Sequence, residues 1–197
     1  MTATSRNLAW DEGVWTNPPA AVVADGGDLL VTAEEGSDAW RTTSYGFIHD
    51  SEHALLAVLP GEAAVEVSFT ADLPEQFDQA GVFLRVSPST WIKAGLECSD
   101  GVLQLGAVVT APFSDWSVAP VPGWSGQRVT IRASRTGDTV TVRARTSDTD
   151  FRLVRVIPLD PAVTVSAGPF VCAPTRAGLT VRFGSWVVGE PDSSLHP

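Results

Sequence analysis

Apolar residues recur at every second position through most of this chain, and almost nowhere at the three-to-four spacing of an amphipathic helix. Val65, Val67 and Phe69 alternate with Glu66, Ser68 and Thr70, and Val82, Leu84 and Val86 with Gly81, Phe83 and Arg85. The same pattern returns at Val129 and Ile131, at Val140 and Val142, and at Leu179, Val181 and Phe183. Successive side chains of a strand point to opposite faces, so each run predicts a strand with one packed face. Turn-forming clusters separate the runs: Pro60-Gly61, Ser87-Pro88-Ser89, Ser99-Asp100-Gly101, Pro122-Gly123, Thr136-Gly137-Asp138 and Ala177-Gly178. Many short strands with no helices between them can bury their apolar faces only on one another. The pattern therefore predicts an all-β sandwich or barrel.

At 197 residues the chain is long enough for one substantial core. We read residues 1–9 as an N-terminal extension, 10–188 as the domain, and the polar residues 189–197 as a flexible tail. A net charge of -10 argues against nucleic acid and anionic membranes as partners. No apolar run approaches the ~20 residues of a membrane helix. The first residues lack the apolar stretch of a signal peptide, so a cytoplasmic setting is expected. Cys98 and Cys172 sit in no metal or redox spacing and are read as buried free thiols. Nothing in the pattern specifies an oligomeric state.

One strand stands out. Lys93 is the only lysine among 13 basic residues, which points to a position that needs a compact ammonium and not a planar guanidinium. In its segment, Ile92, Ala94, Leu96 and Cys98 form an apolar side, while Trp91, Lys93, Gly95 and Glu97 form the other. Gln79, Gly81, Phe83 and Arg85 occupy the matching side of the preceding strand. If the two pair as a hairpin, one register sets Arg85 opposite Lys93, a like-charge contact. The alternative sets Arg85 opposite Trp91, Phe83 opposite Lys93 and Gln79 opposite Glu97, and is preferred. Lys93 and Glu97 lie roughly 13 Å apart along the strand, so each needs a partner elsewhere. Aromatic and charged groups together suit a groove on a concave sheet, with Trp91 as an exposed platform.

Catalytic signatures are sparse. Glu97 has no second carboxylate on its strand, so a glycosidase pair would require Asp115 or Asp78 from neighbouring segments. The chain has no Gly-x-Ser-x-Gly elbow and no glycine-rich phosphate loop. His49 and His53 flank Asp50-Ser51-Glu52, which reads as a polar loop between strands, and neither they nor Asp148-Thr149-Asp150 call for a metal. No cofactor is expected.

Several fragments carry a family resemblance: Trp15-Thr16-Asn17-Pro18-Pro19, the segment from Asp38 to Phe47, Phe77 to Arg85, Trp91 to Glu97, Val108-Val109-Thr110 with Ser114-Asp115-Trp116, and Arg152-Leu153-Val154-Arg155. Over roughly residues 10–187 the chain resembles the DUF1349 family, a family of unknown function that includes a yeast regulation-of-enolase protein. The resemblance implies a concanavalin A-like jelly-roll β-sandwich of two antiparallel sheets. Polar family positions matched here include Asp38 and Trp40. From the groove reading and the resemblance together, the expected ligand-binding residues are Arg41, Tyr45, Asp78, Gln79, Arg85, Trp91, Lys93, Glu97, Thr110, Asp115, Trp116 and Arg155. The leading expectation is non-catalytic binding of a small polar or carbohydrate-like ligand. The alternatives are a sugar- or glycoside-acting enzyme using Glu97 with Asp115 or Asp78, and a cytosolic regulatory domain that binds other proteins.

Overall fold

The computed structural model describes residues 5–196. It is a concanavalin A-like jelly-roll sandwich whose named strand ladders are all antiparallel. One sheet runs from edge to edge as β15 (Arg152–Pro158), β14 (Thr139–Thr146), β13 (Arg128–Thr136), β8 (Ala63–Thr70), β17 (Thr180–Gly189), β4 (Asp28–Thr32) and β3 (Ala21–Asp25), with β1 (Arg6–Asn7) pairing β17. The other runs β12 (Ser114–Pro120), β11 (Val102–Thr110), β10 (Thr90–Ser99), β9 (Gln79–Ser87), β16 (Val165–Cys172), β7 (His53–Leu59) and β2 (Val14–Trp15). A separate hairpin joins β5 (Ala39–Arg41) to β6 (Ile48–Asp50). The only helical turns among the described residues are two three-residue 3-10 segments, at Trp10–Glu12 and Pro122–Trp124. No described helix is long and apolar enough to cross a membrane.

The alternating residues meet between the sheets. Val65, Val67, Phe69, Val129, Ile131, Val140, Val142, Val181 and Phe183 from one sheet pack against Val82, Leu84, Ile92, Ala94 and Leu96 from the other. Burying a side chain of this size contributes about 1.5–3 kcal/mol, which makes the strand faces hard to exchange. Cys98 lies in this core, and both cysteines are buried free thiols.

The seven-stranded sheet is also covered on its outer face. Phe83, Trp91, Phe170, Leu56, Val108 and Cys172 form a second apolar cluster there, capped by Ala39 and flanked by Trp40 and Trp116. Phe83 stacks on Trp91 at 5.3 Å and meets Phe170 edge-on at 5.8 Å. Trp91, expected as an exposed platform, is therefore buried at 3% exposure. The β5–β6 hairpin and the stacking partners on adjacent strands occupy the face it was expected to offer to a ligand.

The β9–β10 register is the one that avoids the like-charge contact. Trp91 opposes Arg85, Lys93 opposes Phe83 and Glu97 opposes Gln79, with an irregularity between Thr90 and Trp91. Residues 189–196, expected to form a flexible tail, run back across the first sheet. Asp192 accepts from Arg132 Nε at 2.8 Å and from Arg143 Nε at 3.0 Å.

Candidate functional site

The site begins with three glycines in a row. On the outer face of the second sheet, Gly95 lies opposite Gly81 on one side and Gly106 on the other. A Cβ on Gly95 would sit 2.1 Å from the Ala80 carbonyl oxygen, and one on Gly106 2.1 Å from that of Ser117. Side chains are thus excluded by backbone, and a bare strip crosses three strands. On one side of the strip stand Phe83, Lys93, Val108 and Trp116; on the other stand Gln79, Glu97 and Gln104.

Lys93 crosses the strip. Its Nζ donates to Gln79 Oε1 at 2.6 Å and to Asp38 Oδ1 at 3.3 Å. Asp38 Oδ1 also accepts from Gln79 Nε2 at 3.2 Å and from the Ala39 amide at 2.7 Å. Three side chains from β10, β9 and the entry to β5 therefore close on one another. Burial works to strip the proton from Lys93, but the Asp38 and Glu97 carboxyls outweigh it and its pKa lies above the ordinary lysine value. Lys93 is only 4% exposed, and one of its three N–H groups is left for a ligand.

Glu97 is the opposite case. Among the described residues no donor reaches its carboxyl. Burial pushes its pKa up to about 7; the Lys93 ammonium pulls it down and Asp38 pushes it up. Directly across on β11, Gln104 Oε1 is buried and also lacks a donor.

The β5–β6 hairpin forms the roof. Trp40 packs edge-on against Trp116 at 6.3 Å and against Tyr45 at 5.7 Å; Tyr45 stacks on Phe47 at 5.2 Å, and Phe47 meets His49 at 4.6 Å. The turn reverses through positive φ at Thr42 (67°), Ser44 (61°) and Gly46 (75°). Phe77, on the opposite wall, is also held at φ 64°. A bulky residue seldom adopts that region, and the surrounding structure must hold it there at a cost of about 1–3 kcal/mol. Between roof and floor lies a cavity of about 280 Å³, lined by Gly36, Asp38, Trp40, Tyr45, Phe47, His49, Phe77, Gln79, Lys93, Glu97, Trp116 and Pro174.

Of the expected ligand-binding residues, Tyr45, Gln79, Lys93, Glu97 and Trp116 line this cavity. Thr110 supports it from behind: its hydroxyl bonds Ser114 Oγ at 2.8 Å, and Ser114 Oγ accepts the Arg41 amide at 2.9 Å, which docks the roof. The Arg41 guanidinium instead bonds Asp50 at 2.7 Å. Four residues fall elsewhere. Asp78 has the core-facing parity of β9; it is fully buried and bonded to Arg176 at 2.8 Å, with burial raising its pKa against that arginine's pull. Asp115 points away from the face that Trp116 occupies and pairs with Arg155 at 2.8 Å, linking β12 to β15. Arg85 lies 3.9 Å from Glu52.

Asp38, Trp40, Phe47, His49 and Phe77 are cavity residues absent from the expected set. Asp38 and Trp40 were already visible as matched family positions. Their place in the site depends on the roof fold, which local alternation does not encode. His49 and His53 flank a short connection between two strands, as expected: His49 is on β6, whereas His53 opens β7 and is buried. His53 Nε2 accepts the Glu34 amide at 3.1 Å and its Nδ1 bonds the Asn17 carbonyl at 3.1 Å. Burial lowers its pKa, so it serves as a neutral structural tie.

The model of the family described as "Protein of unknown function (DUF1349)" matches residues 15–191. A curated Saccharomyces cerevisiae protein, "Regulation of enolase protein 1", is 34% identical over 194 residues, covering 98% of this chain and 97% of that protein. A crystal structure of a functionally unknown protein from S. cerevisiae superposes with a TM-score of 0.88 at 31% identity, covering 94% of this chain and all of that one. The xylan β-1,4-xylosidase of Bacillus halodurans C-125 has the same sandwich at a TM-score of 0.65 and 14% identity, over 84% of this chain and 33% of the xylosidase.

Proposed function

This chain belongs to the DUF1349 family, and from that premise we propose that it is a non-catalytic module that binds one small polar, carbohydrate-like ligand beneath the β5–β6 roof. The observation that carries this reading is the cavity of about 280 Å³, in which aromatic rings face a preformed Lys93–Gln79–Asp38 network. Flat rings cover apolar ring faces, while the floor offers one spare N–H and an unpartnered carboxyl for hydroxyls. Because the network is closed before a ligand arrives, little ordering cost falls on binding. The carbohydrate-acting name of a structural neighbour supports the choice of ligand class. On this reading the protein works in the cytoplasm, where its two buried thiols stay reduced.

A second reading, a sugar- or glycoside-acting enzyme, draws on Glu97, whose pKa of about 7 suits a general acid. Asp78 and Asp115 are held in ion pairs away from the cavity, so Asp38 would have to be its carboxylate partner. Asp38 is already engaged by Lys93, Gln79 and Ala39, which favours binding over bond cleavage.

Ligand-observed NMR with a panel of monosaccharides and their aryl glycosides tests both readings. Binding without turnover, abolished by Trp116→Ala and reduced by Lys93→Met, is expected. Release of the aryl group that depends on Glu97 would replace binding with catalysis. No binding by any member would remove the carbohydrate-like class.

A further inference from the structure

We infer that the ligand of this cavity carries a protonated primary amine on a ring of about one sugar unit, with the ammonium seated against Glu97 beneath the aromatic roof. This rests on the reading of the cavity as a small-ligand site.

The charges do not balance without such a group. Three charged side chains line the cavity: Lys93, Asp38 and Glu97. Lys93 and Asp38 pair at 3.3 Å, which leaves one carboxyl over. The hydrogen bonds are lopsided in the same direction. Among the described residues Glu97 has no donor. Against this acceptor the Lys93–Gln79–Asp38 network keeps a single spare N–H, on Lys93. A ligand that complements the floor must bring donors, and an ammonium brings three together with the missing charge. The rings of Trp40, Tyr45 and Phe47 from the roof and of Trp116 from β12 line the same cavity, and an aromatic face attracts a cation. An anionic ligand would meet two carboxyls and a cation that is already paired, on a protein of net charge -10.

Binding is coupled to protons. The groups that face the ammonium are Glu97, Asp38 and Lys93 from the floor, and His49 and Tyr45 from the roof. Cys172 lies beneath, and burial holds its thiol protonated. In the empty site Glu97 titrates at about 7. An arriving ammonium favours the carboxylate and displaces its proton to solvent.

Isothermal titration with aminocyclohexanol tests this, because its amine stays protonated throughout the pH range used. Cyclohexanediol is the neutral control, hydroxycyclohexane carboxylate the anionic one, and Nα-acetyl-lysine methylamide supplies the same amine on a protein-like chain. If only ionised Glu97 binds, affinity for aminocyclohexanol should rise about tenfold from pH 6 to pH 8. It should exceed that of all three controls. Glu97→Gln should weaken it and flatten the pH response, while His49→Asn should keep the slope. A diol or carboxylate that binds as tightly as the amine overturns the inference, as does a slope that survives Glu97→Gln or vanishes in His49→Asn. Tighter binding of the lysine amide overturns the ring and makes the amine a protein side chain. Neutral monosaccharides that bind while the amine does no better sink this inference alone. Failure of every ring compound, sugars included, sinks the small-ligand reading with it.

Discussion

Glu97→Gln is expected to stabilise this protein, and only at pH values where the glutamate is charged. In the unfolded chain a glutamate titrates near 4.5, whereas in the folded protein Glu97 titrates at about 7. Because the folded pKa is raised, the folded state holds its proton over a pH range in which the unfolded state has lost it. Stability attributable to this group therefore falls as pH rises from about 4.5 to about 7, and stays low above that. At 1.36 kcal/mol per unit, the difference amounts to roughly 3 kcal/mol. Glutamine keeps the shape and cannot ionise, so it escapes the loss. Urea denaturation of both proteins across this pH range provides the assay. The two unfolding free energies should coincide near pH 4 and separate by up to about 3 kcal/mol near pH 8, with the variant the more stable. A variant less stable than wild type at high pH would show that the carboxylate has a stabilising partner and is not free for a ligand. A difference that does not vary with pH would show that Glu97 does not titrate between the two limits.

Lys93→Met should cost about 1–3 kcal/mol, from the lost charged hydrogen bond to Gln79 and the exposed need of Asp38 for a cation. Ile92→Ala should cost about 2–5 kcal/mol while leaving ligand binding intact; an equal or larger loss for Lys93→Met in thermal denaturation would make that lysine chiefly a structural ion. Gly95→Ala should destabilise by about 3 kcal/mol or more, since its Cβ meets only backbone atoms, and a wild-type denaturation midpoint would refute the reading of the bare strip. Thiol titration under denaturing, non-reducing conditions should count both cysteines as free, and a count of none would reveal a disulfide.

The faces of the 91–97 strand were readable because period-two alternation fixes which side chains share a side. The hairpin register was readable because one alternative placed Arg85 against Lys93. Alternation does not reveal what lies on top of a face. Trp91 looked available for that reason, although Phe83 and Phe170 share its cluster and the segment beginning at Asp38 caps it. Asp38 supplies the counterion of Lys93 from 55 positions away, a distance over which no local pattern operates. Parity could have removed two candidates. Asp115 and Trp116 are adjacent on one strand and cannot share a face, and Asp78 continues the core side of β9. Asp192 was hidden differently: its partners Arg132 and Arg143 sit on the outer face of strands far upstream, and a short polar tail carries no sign of such docking.

The glycine strip also bears on how this site could acquire a new ligand. Gly81, Gly95 and Gly106 admit no side chain, so substitution there would disturb the sheet before it reshaped the chamber. Lys93, Gln79 and Asp38 depend on one another, so none can change alone without stranding the other two. Variation is thus channelled to the roof, where Tyr45 and Phe47 are exposed. The sandwich acts as a fixed die, and the hairpin is the part that can be recut.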